Sequence, residues 1–394
     1  MTKKKTDALF VPVFKRDETL FTHGKGCRLY DSDGNEYLDF GTGIAVNALG
    51  HAHPKLQKAL QKQGNALIHL SNLYYTPAQI DLAALLVKNS FGKKVFFCNS
   101  GTEANEAAIK FARKYARTIS SEKFNILSFT DGFHGRTYGA LSATAQVKFH
   151  EGFHPLIEGF HYAPFNDIAA VKELFAMYQF AAVFVEPLQG EGGVNAADKE
   201  FITFLRNICN EHKTLLVFDE IQCGMGRTGT LWNYEQYKIT PDIMTLAKPL
   251  GGGLPLGAVV TTEAVAQVMA VGDHGTTFGG NPVACALGAA VLSTVADKQF
   301  LKEVREKSTC LLRQLGELKK SYPAIESVLG KGLLLGVRMK DDPAAIIAAC
   351  KAGGLLLIKA GHNTIRFLPP LTVKKGEIDK AVKIFSGVLK KTFQ

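Results

Sequence analysis

No two of the seven cysteines stand at C-x-x-C spacing; they fall at positions 27, 98, 209, 223, 285, 310 and 350. A zinc site or a disulfide framework is therefore not expected. Cys98 closes the apolar run VFFC, where a cysteine serves as a small core residue. No uninterrupted apolar run reaches the length of a membrane span. The amino terminus carries KKK before ALFVPVF, but that stretch is short, contains Pro12 and runs into KRDE, which makes a poor signal peptide. Dense charge is also scarce. The formal net charge is +10, yet lysines and arginines are interleaved with acids, as in EVREK and KKGEIDK. The one dense run, residues 3–5, lies at a terminus where disorder is expected. These features disfavour nucleic-acid and membrane binding and leave a basic surface suited to carboxylate or phosphate metabolites. Neither an internal repeat nor a low-complexity segment is visible. What remains is a soluble, cytoplasmic globular protein.

With 394 residues, 46% of them hydrophobic, the chain has ample material for a large α/β unit and a smaller appendage. Strands are expected at 95–98, 125–130, 181–186, 214–219, 242–247 and 257–262. Their hydrophobicity is continuous rather than alternating, as suits strands buried on both faces of a mostly parallel sheet. Between them, EANEAAIKFARKYA puts Ala104, Ala108, Phe111, Ala112 and Tyr115 on one helical face, and EFITFLRNICNEH does the same for Phe201, Phe204, Leu205, Ile208 and Cys209. This alternation predicts a doubly wound α/β domain over 46–281. The last third changes character. A long helical stretch over 282–321 is followed by strand-like LLLGVRM, a helix in DPAAIIAACKA, extended IRFLPP and a final helix. A smaller α+β domain is expected from 282–394 together with 1–45, where CRLYDSDGNEYLDF reads as a hairpin turning at Asp33-Gly34.

Polar residues follow these strands with unusual regularity: NSGTEANE after VFFC, DGFHGRT after NILSFT, PLQGEGG after AAVFVE, Asp219 at the end of TLLVFD and Lys248 after DIMTLA. Ligands of open α/β sheets bind at the carboxyl ends of the strands, so five such segments point to one site. Ser100, Gly101 and Thr102 open a strong helix, whose free N–H groups and dipole suit a phosphate. The same residues also suit an ordinary N-cap. The Walker spacing is absent. Asp219 could be a turn residue or the partner of a protonated ring nitrogen. Gln222 could be a loop amide or a donor to a phenolic oxygen. Lys248 sits between apolar TLA and PLGGGLPLG, a poor setting for a solvated amine and a good one for imine chemistry. An acid at one strand end and a lysine at another make pyridoxal 5'-phosphate the first cofactor to test.

The segments NSGTEANEAAIKFARKY, FHGRTYGALSAT, VEPLQGEGGV, DEIQCGMGRTG, AKPLGGGLPLGA and HGTTFGGNPVACA resemble the class III (ornithine/acetylornithine) aminotransferases, from LYDSDGNEYLDF to IRFLPPL. The resemblance implies fold type I, with Lys248 as the Schiff-base lysine, Asp219 at the pyridinium and Gln222 near the phenolic oxygen. It implies a phosphate cup at Ser100, Gly101 and Thr102, with Phe133 stacked on the ring. Thr277 would reach the phosphate of a neighbouring subunit, so a homodimer with shared sites is expected. Arg136 is similar to the arginine that binds a substrate carboxylate, Arg366 to the one that takes the α-carboxylate of glutamate, and Glu191 to the glutamate paired with it. The implied reaction moves the ω-amino group of N-acetylornithine, or a similar acylated diamino acid, to 2-oxoglutarate, in arginine biosynthesis. Ornithine, succinylornithine and 4-aminobutyrate are the rival donors. Phe14 stands where many relatives carry a tyrosine, which disfavours a free α-amine.

Overall fold

Short runs of branched and aromatic residues lie side by side as the floor of the molecule. In the computed structural model, which describes residues 9–393, seven strands form one sheet. Their order is Lys94–Cys98, Gly257–Thr261, Ile243–Leu246, Leu215–Asp219, Phe180–Val185, Asn125–Phe129 and Phe160–Ala163. Gly257–Thr261 runs antiparallel to both neighbours, and the remaining pairs are parallel. Six of these strands fall where the apolar runs predict them. The seventh, Phe160–Ala163, reads FHYA and is only partly buried at the sheet edge, so it carries no long apolar signal. The residues 3–5 lie outside the described part of the chain.

Side chains of the sheet alternate between two layers. Val217, Ile243, Val259 and Phe184 face the helix Gly101–Arg117 through Ala104, Ala108, Phe111 and Ala112. Leu216, Phe218, Val183 and Leu127 face the other way, onto Val171 and Phe175 of the helix Ile168–Met177 and Phe201, Leu205 and Cys209 of Lys199–Glu211. Runs buried on both faces need no polar alternation, which explains their continuous hydrophobicity.

After the first strand, Phe21–Lys25, a hairpin forms from Arg28–Asp31 against Glu36–Asp39. Asp31 Oδ1 closes its turn by accepting the N–H groups of Asp33 (3.0 Å) and Asn35 (2.8 Å), and Gly34 takes φ +84°, a conformation that favours glycine. Glu36–Asp39 pairs in parallel with Leu355–Leu356, so the amino-terminal hairpin is completed by the carboxyl-terminal region. A second sheet orders Ile325–Lys331, Leu334–Met339, Thr364–Phe367 and Ile358–Ala360. The final helix, Lys375–Phe393, buries Ile378, Ala381, Val382, Phe385 and Leu389 on one face.

The helical stretch expected at 282–321 is present but divided. The stretch 282–321 is not one helix but two, Pro282–Val295 and Lys298–Ser321, bent by 71°. Asp297 leaves the helical conformation and its carboxylate accepts the Phe300 N–H at 2.8 Å, so it caps the second helix where the apolar spacing alone runs on. Among the described residues no single helix is long and apolar enough to cross a membrane. Trp232, the one tryptophan, is fully buried in the largest apolar cluster, and its Nε1–H donates to the Asn89 carbonyl at 2.6 Å. That cluster also takes in Leu38, Leu246, Leu292 and Phe385, residues from both ends of the chain and from the large sheet.

Candidate active site

Cys98, Phe129, Val185, Asp219 and Leu246 end their strands at one edge of the sheet, and the loops that follow surround a cavity of about 460 Å³. Ser100, Thr102, Phe133, Arg136, Asp219, Gln222 and Lys248 all line it. The size suits a small organic ligand.

Asp219 is buried and held from three sides. Its Oδ2 accepts from Asn105 Nδ2 and from His134 Nδ1, both at 2.8 Å, and Oδ1 accepts from the Ile221 N–H at 3.1 Å. Burial works against a charged His134 ring, but the hydrogen bond and charge of Asp219 outweigh it and raise its pKa. Asn105 Nδ2 also donates to the His134 carbonyl at 2.7 Å, which locks ring and carboxylate together. Glu186 lies in the same wall, its Oε2 accepting the Phe133 N–H at 3.0 Å. Burial pushes its carboxyl up, although His134 opposes the shift.

Lys248 begins a 3₁₀ turn, Lys248–Gly251, directly after its strand and takes φ +47°. Its side chain is partly open to the cavity and otherwise enclosed by protein. Burial lowers its amine pKa, the Arg366 charge lowers it further, and Asp219, Glu186 and Glu191 pull the other way.

Ser100 caps the helix Gly101–Arg117, its hydroxyl accepting the Glu103 N–H at 3.3 Å. The first intrahelical bond is Ala104 N–H to the Ser100 carbonyl, so the N–H groups of Gly101 and Thr102 lie ahead of the ladder, at the cavity. Thr102 Oγ1 accepts the N–H groups of Arg136 (3.2 Å) and Thr137 (3.3 Å), which ties the Phe133 loop to the helix start. Gly135, at φ +141°, makes this approach possible, since a Cβ there would collide with Thr102 Oγ1.

Arg366 is buried behind Gln222, which lines the cavity. Its Nη2 donates to Glu191 Oε2 at 2.8 Å and to the Lys359 carbonyl at 3.1 Å, and its Nη1 donates to Gln222 Oε1 at 3.1 Å. Arg136 is exposed at the rim. Four sequence candidates do not line the cavity: Glu191 and Arg366, joined to it through Gln222; Thr277, exposed on its loop; and Phe14, 70% exposed. Three buried residues were absent from the sequence candidates, namely Asn105, His134 and Glu186. Glu186 carries a signal: it closes the apolar run AAVFVE as Asp219 closes TLLVFD. Taken together, an enclosed amine of lowered pKa, a bolstered carboxylate, an aromatic ring and a helix amino terminus fit a phosphorylated pyridine aldehyde.

The comparisons with known proteins agree with this chemistry. The family model "Aminotransferase class-III" matches residues 13–389. The acetylornithine aminotransferase of Clostridium acetobutylicum is 48% identical over 379 residues, covering 96% of this chain and 98% of that protein. The acetylornithine aminotransferase of Methanocaldococcus jannaschii is 46% identical over 379 residues, covering 95% and 94%. Among solved structures, an ornithine aminotransferase from Toxoplasma gondii, with pyridoxal phosphate at partial occupancy in its active site, superposes with TM-score 0.93 at 30% identity, covering 98% of this chain and 94% of that one. The N-acetylornithine aminotransferase of Stenotrophomonas maltophilia gives TM-score 0.85 at 36% identity, covering 96% and 97%. A match that runs almost end to end, on the fold whose strand ends carry Lys248 and Asp219, leaves one assignment: this chain belongs to the class III aminotransferases.

Proposed function

We propose that this protein is a pyridoxal 5'-phosphate-dependent aminotransferase that moves the ω-amino group of N-acetylornithine to 2-oxoglutarate, giving the semialdehyde and glutamate. The observation that carries the donor is the near full-length identity of 46–48% to relatives named acetylornithine aminotransferase. When bound, the cofactor supplies an aldehyde for the donor amine and a ring that accepts electrons as a C–H bond breaks.

Lys248 Nζ would anchor the aldehyde and, once displaced by the donor, carry the proton from the donor's ω-carbon. Its lowered pKa suits a base that must be neutral to accept a proton. Asp219 would hold the protonated ring nitrogen, with His134 and Asn105 fixing its carboxylate. Ser100, Gly101 and Thr102 would receive the phosphate, Phe133 would cover the ring face, and Gln222 would reach the phenolic oxygen. Arg136 would grip the donor's carboxylate with its planar fork. With Glu191 paired to Arg366, as at 2.8 Å here, the ω-amine has the inner site to itself. With 2-oxoglutarate, Glu191 would release Arg366 to bind the α-carboxylate. Arg366 Nε is buried and has no partner among the described residues, a donor in reserve for that carboxylate.

The active unit would be a homodimer. Asn72 Nδ2 donates to the carbonyls of Thr276 (3.1 Å) and Gly279 (3.0 Å), which sets exposed Leu73 and Tyr75 beside exposed Thr277 and Phe278. Exposed apolar side chains such as Leu73, Tyr75 and Phe278 suit a second copy, to whose phosphate site Thr277 would contribute. The chain would divide into a large domain, 46–281, and a small one, 1–45 with 282–394, with metabolites and not nucleic acid or membrane as ligands, in the cytoplasm.

Half-reaction rates test the donor. N-acetylornithine should convert the cofactor absorbance faster than ornithine, succinylornithine or 4-aminobutyrate. A clear lead for any of these three would overturn the assignment.

A further inference from the structure

Phe149 has no role in the site as described so far. It ends the 3₁₀ turn Val147–Phe149, beyond the short helix that follows the Phe133 loop. The Arg136 guanidinium carbon lies 3.6 Å from the centroid of its ring and 5.3 Å from that of Phe133. The two rings meet edge to face, centroids 6.0 Å apart at 85°. Among the described residues no carboxylate or carbonyl accepts a hydrogen bond from the Arg136 side chain, so aromatic rings are what hold it.

The ring itself is well anchored. Gln146 Nε2 donates to the carbonyls of Asp131 (3.1 Å) and Gly132 (3.2 Å), which joins the turn to the Phe133 loop. His150, buried just beyond, uses Nε2 to bond the Thr144 carbonyl at 2.7 Å and the Leu141 carbonyl at 3.1 Å. Lys148 Nζ, 4.8 Å from the same ring, adds a second cation.

The way a guanidinium is held decides what it can still bind. A carboxylate neighbour would occupy the fork and compete with the substrate. An aromatic face attracts the cation while the N–H donors, which lie in the guanidinium plane, stay free at its edge. Immobilising the side chain before substrate arrives also reduces the entropy lost on binding.

We infer that Phe149 is a positioning residue that presents the Arg136 fork to the carboxylate of the incoming substrate and so sets affinity for it without touching the reacting atoms. This rests on the reading of Arg136 as the carboxylate binder. The test uses the holoenzyme with Phe149→Leu, Phe149→Met and Phe149→Tyr, each also combined with Arg136→Ala. The readout is the second-order half-reaction rate with N-acetylornithine, kcat and KM separately, and the cofactor absorbance spectrum.

Loss of the ring face in the Leu and Met variants should raise KM roughly three- to tenfold, with kcat and spectrum little changed. The Tyr variant should restore KM. In the Arg136→Ala background the Leu and Met changes should have no further effect. An unchanged KM in both apolar variants overturns the proposal, as does an undiminished effect without Arg136. If Arg136→Ala itself leaves the second-order rate intact, the reading of Arg136 fails instead. Phe149→Met retains bulk, so an effect shared with Phe149→Leu is not a packing loss.

Discussion

At the level of single residues, Lys248 joins the chemical task proposed for it to backbone strain. A lysine at φ +47° sits where a Cβ costs free energy, on the order of 1 kcal/mol. Buried Pro249, Leu250 and Gly251 behind it hold the turn in place. Two substitutions separate these effects. Lys248→Ala should abolish turnover, by at least roughly a thousandfold, while cofactor still binds. Lys248→Gly should be equally inactive, yet melt above the alanine variant, because only glycine adopts this φ freely. A lower melting temperature for glycine would show that the turn is unstrained. Asp219 and Lys248 were legible in the sequence because each is a polar residue stranded at the end of an apolar run. The rule that finds Asp219 finds Glu186 equally well. His134 and Asn105 were not legible, since their meaning lies in converging on Asp219 from loops and helices separated by 85 and 114 positions.

Among the elements, the helix Gly101–Arg117 carries two duties at its amino end. Ser100 satisfies one early N–H group of the helix, and the same turn would receive a phosphate. Ser100→Ala should therefore lower both stability, by about 1 kcal/mol in denaturant titration, and cofactor affinity, severalfold by equilibrium dialysis. A change in stability alone would reduce the turn to a cap. Helices and strands buried on two faces were readable from their periodicity. The break at Asp297 was not, because it depends on one capping side chain rather than on apolar spacing. Phe160–Ala163 escaped for the opposite reason, an edge position that leaves little hydrophobic signal.

For the molecule as a whole, the amino-terminal hairpin is tied to the carboxyl-terminal region by charge as well as by strand pairing. Glu36 Oε1 accepts from Arg28 Nη1 at 2.6 Å and from Lys380 Nζ at 3.1 Å. The Arg28 hydrogen bond, and after it that of Lys380, holds the Glu36 carboxyl at about 2. A depressed carboxyl stabilises the fold above its ordinary value near 4.5 and loses that contribution as pH falls toward 2. Because all partners are partly in water, the contribution should be no more than about 1 kcal/mol. Glu36→Gln should lower the melting temperature at pH 7 and converge with the parent near pH 2. Curves that stay apart in acid would place the effect elsewhere.

Burial of Trp232 in the cluster shared by Leu38, Leu246, Leu292 and Phe385 makes the protein its own optical gauge. One indole gives one emission band, with no second fluorophore of its kind to disentangle. Its environment changes only when packing among the hairpin, the large sheet and the carboxyl-terminal helices gives way. A red shift on heating therefore dates the loss of that shared core, and its coincidence with the loss of helical dichroism distinguishes concerted from stepwise unfolding.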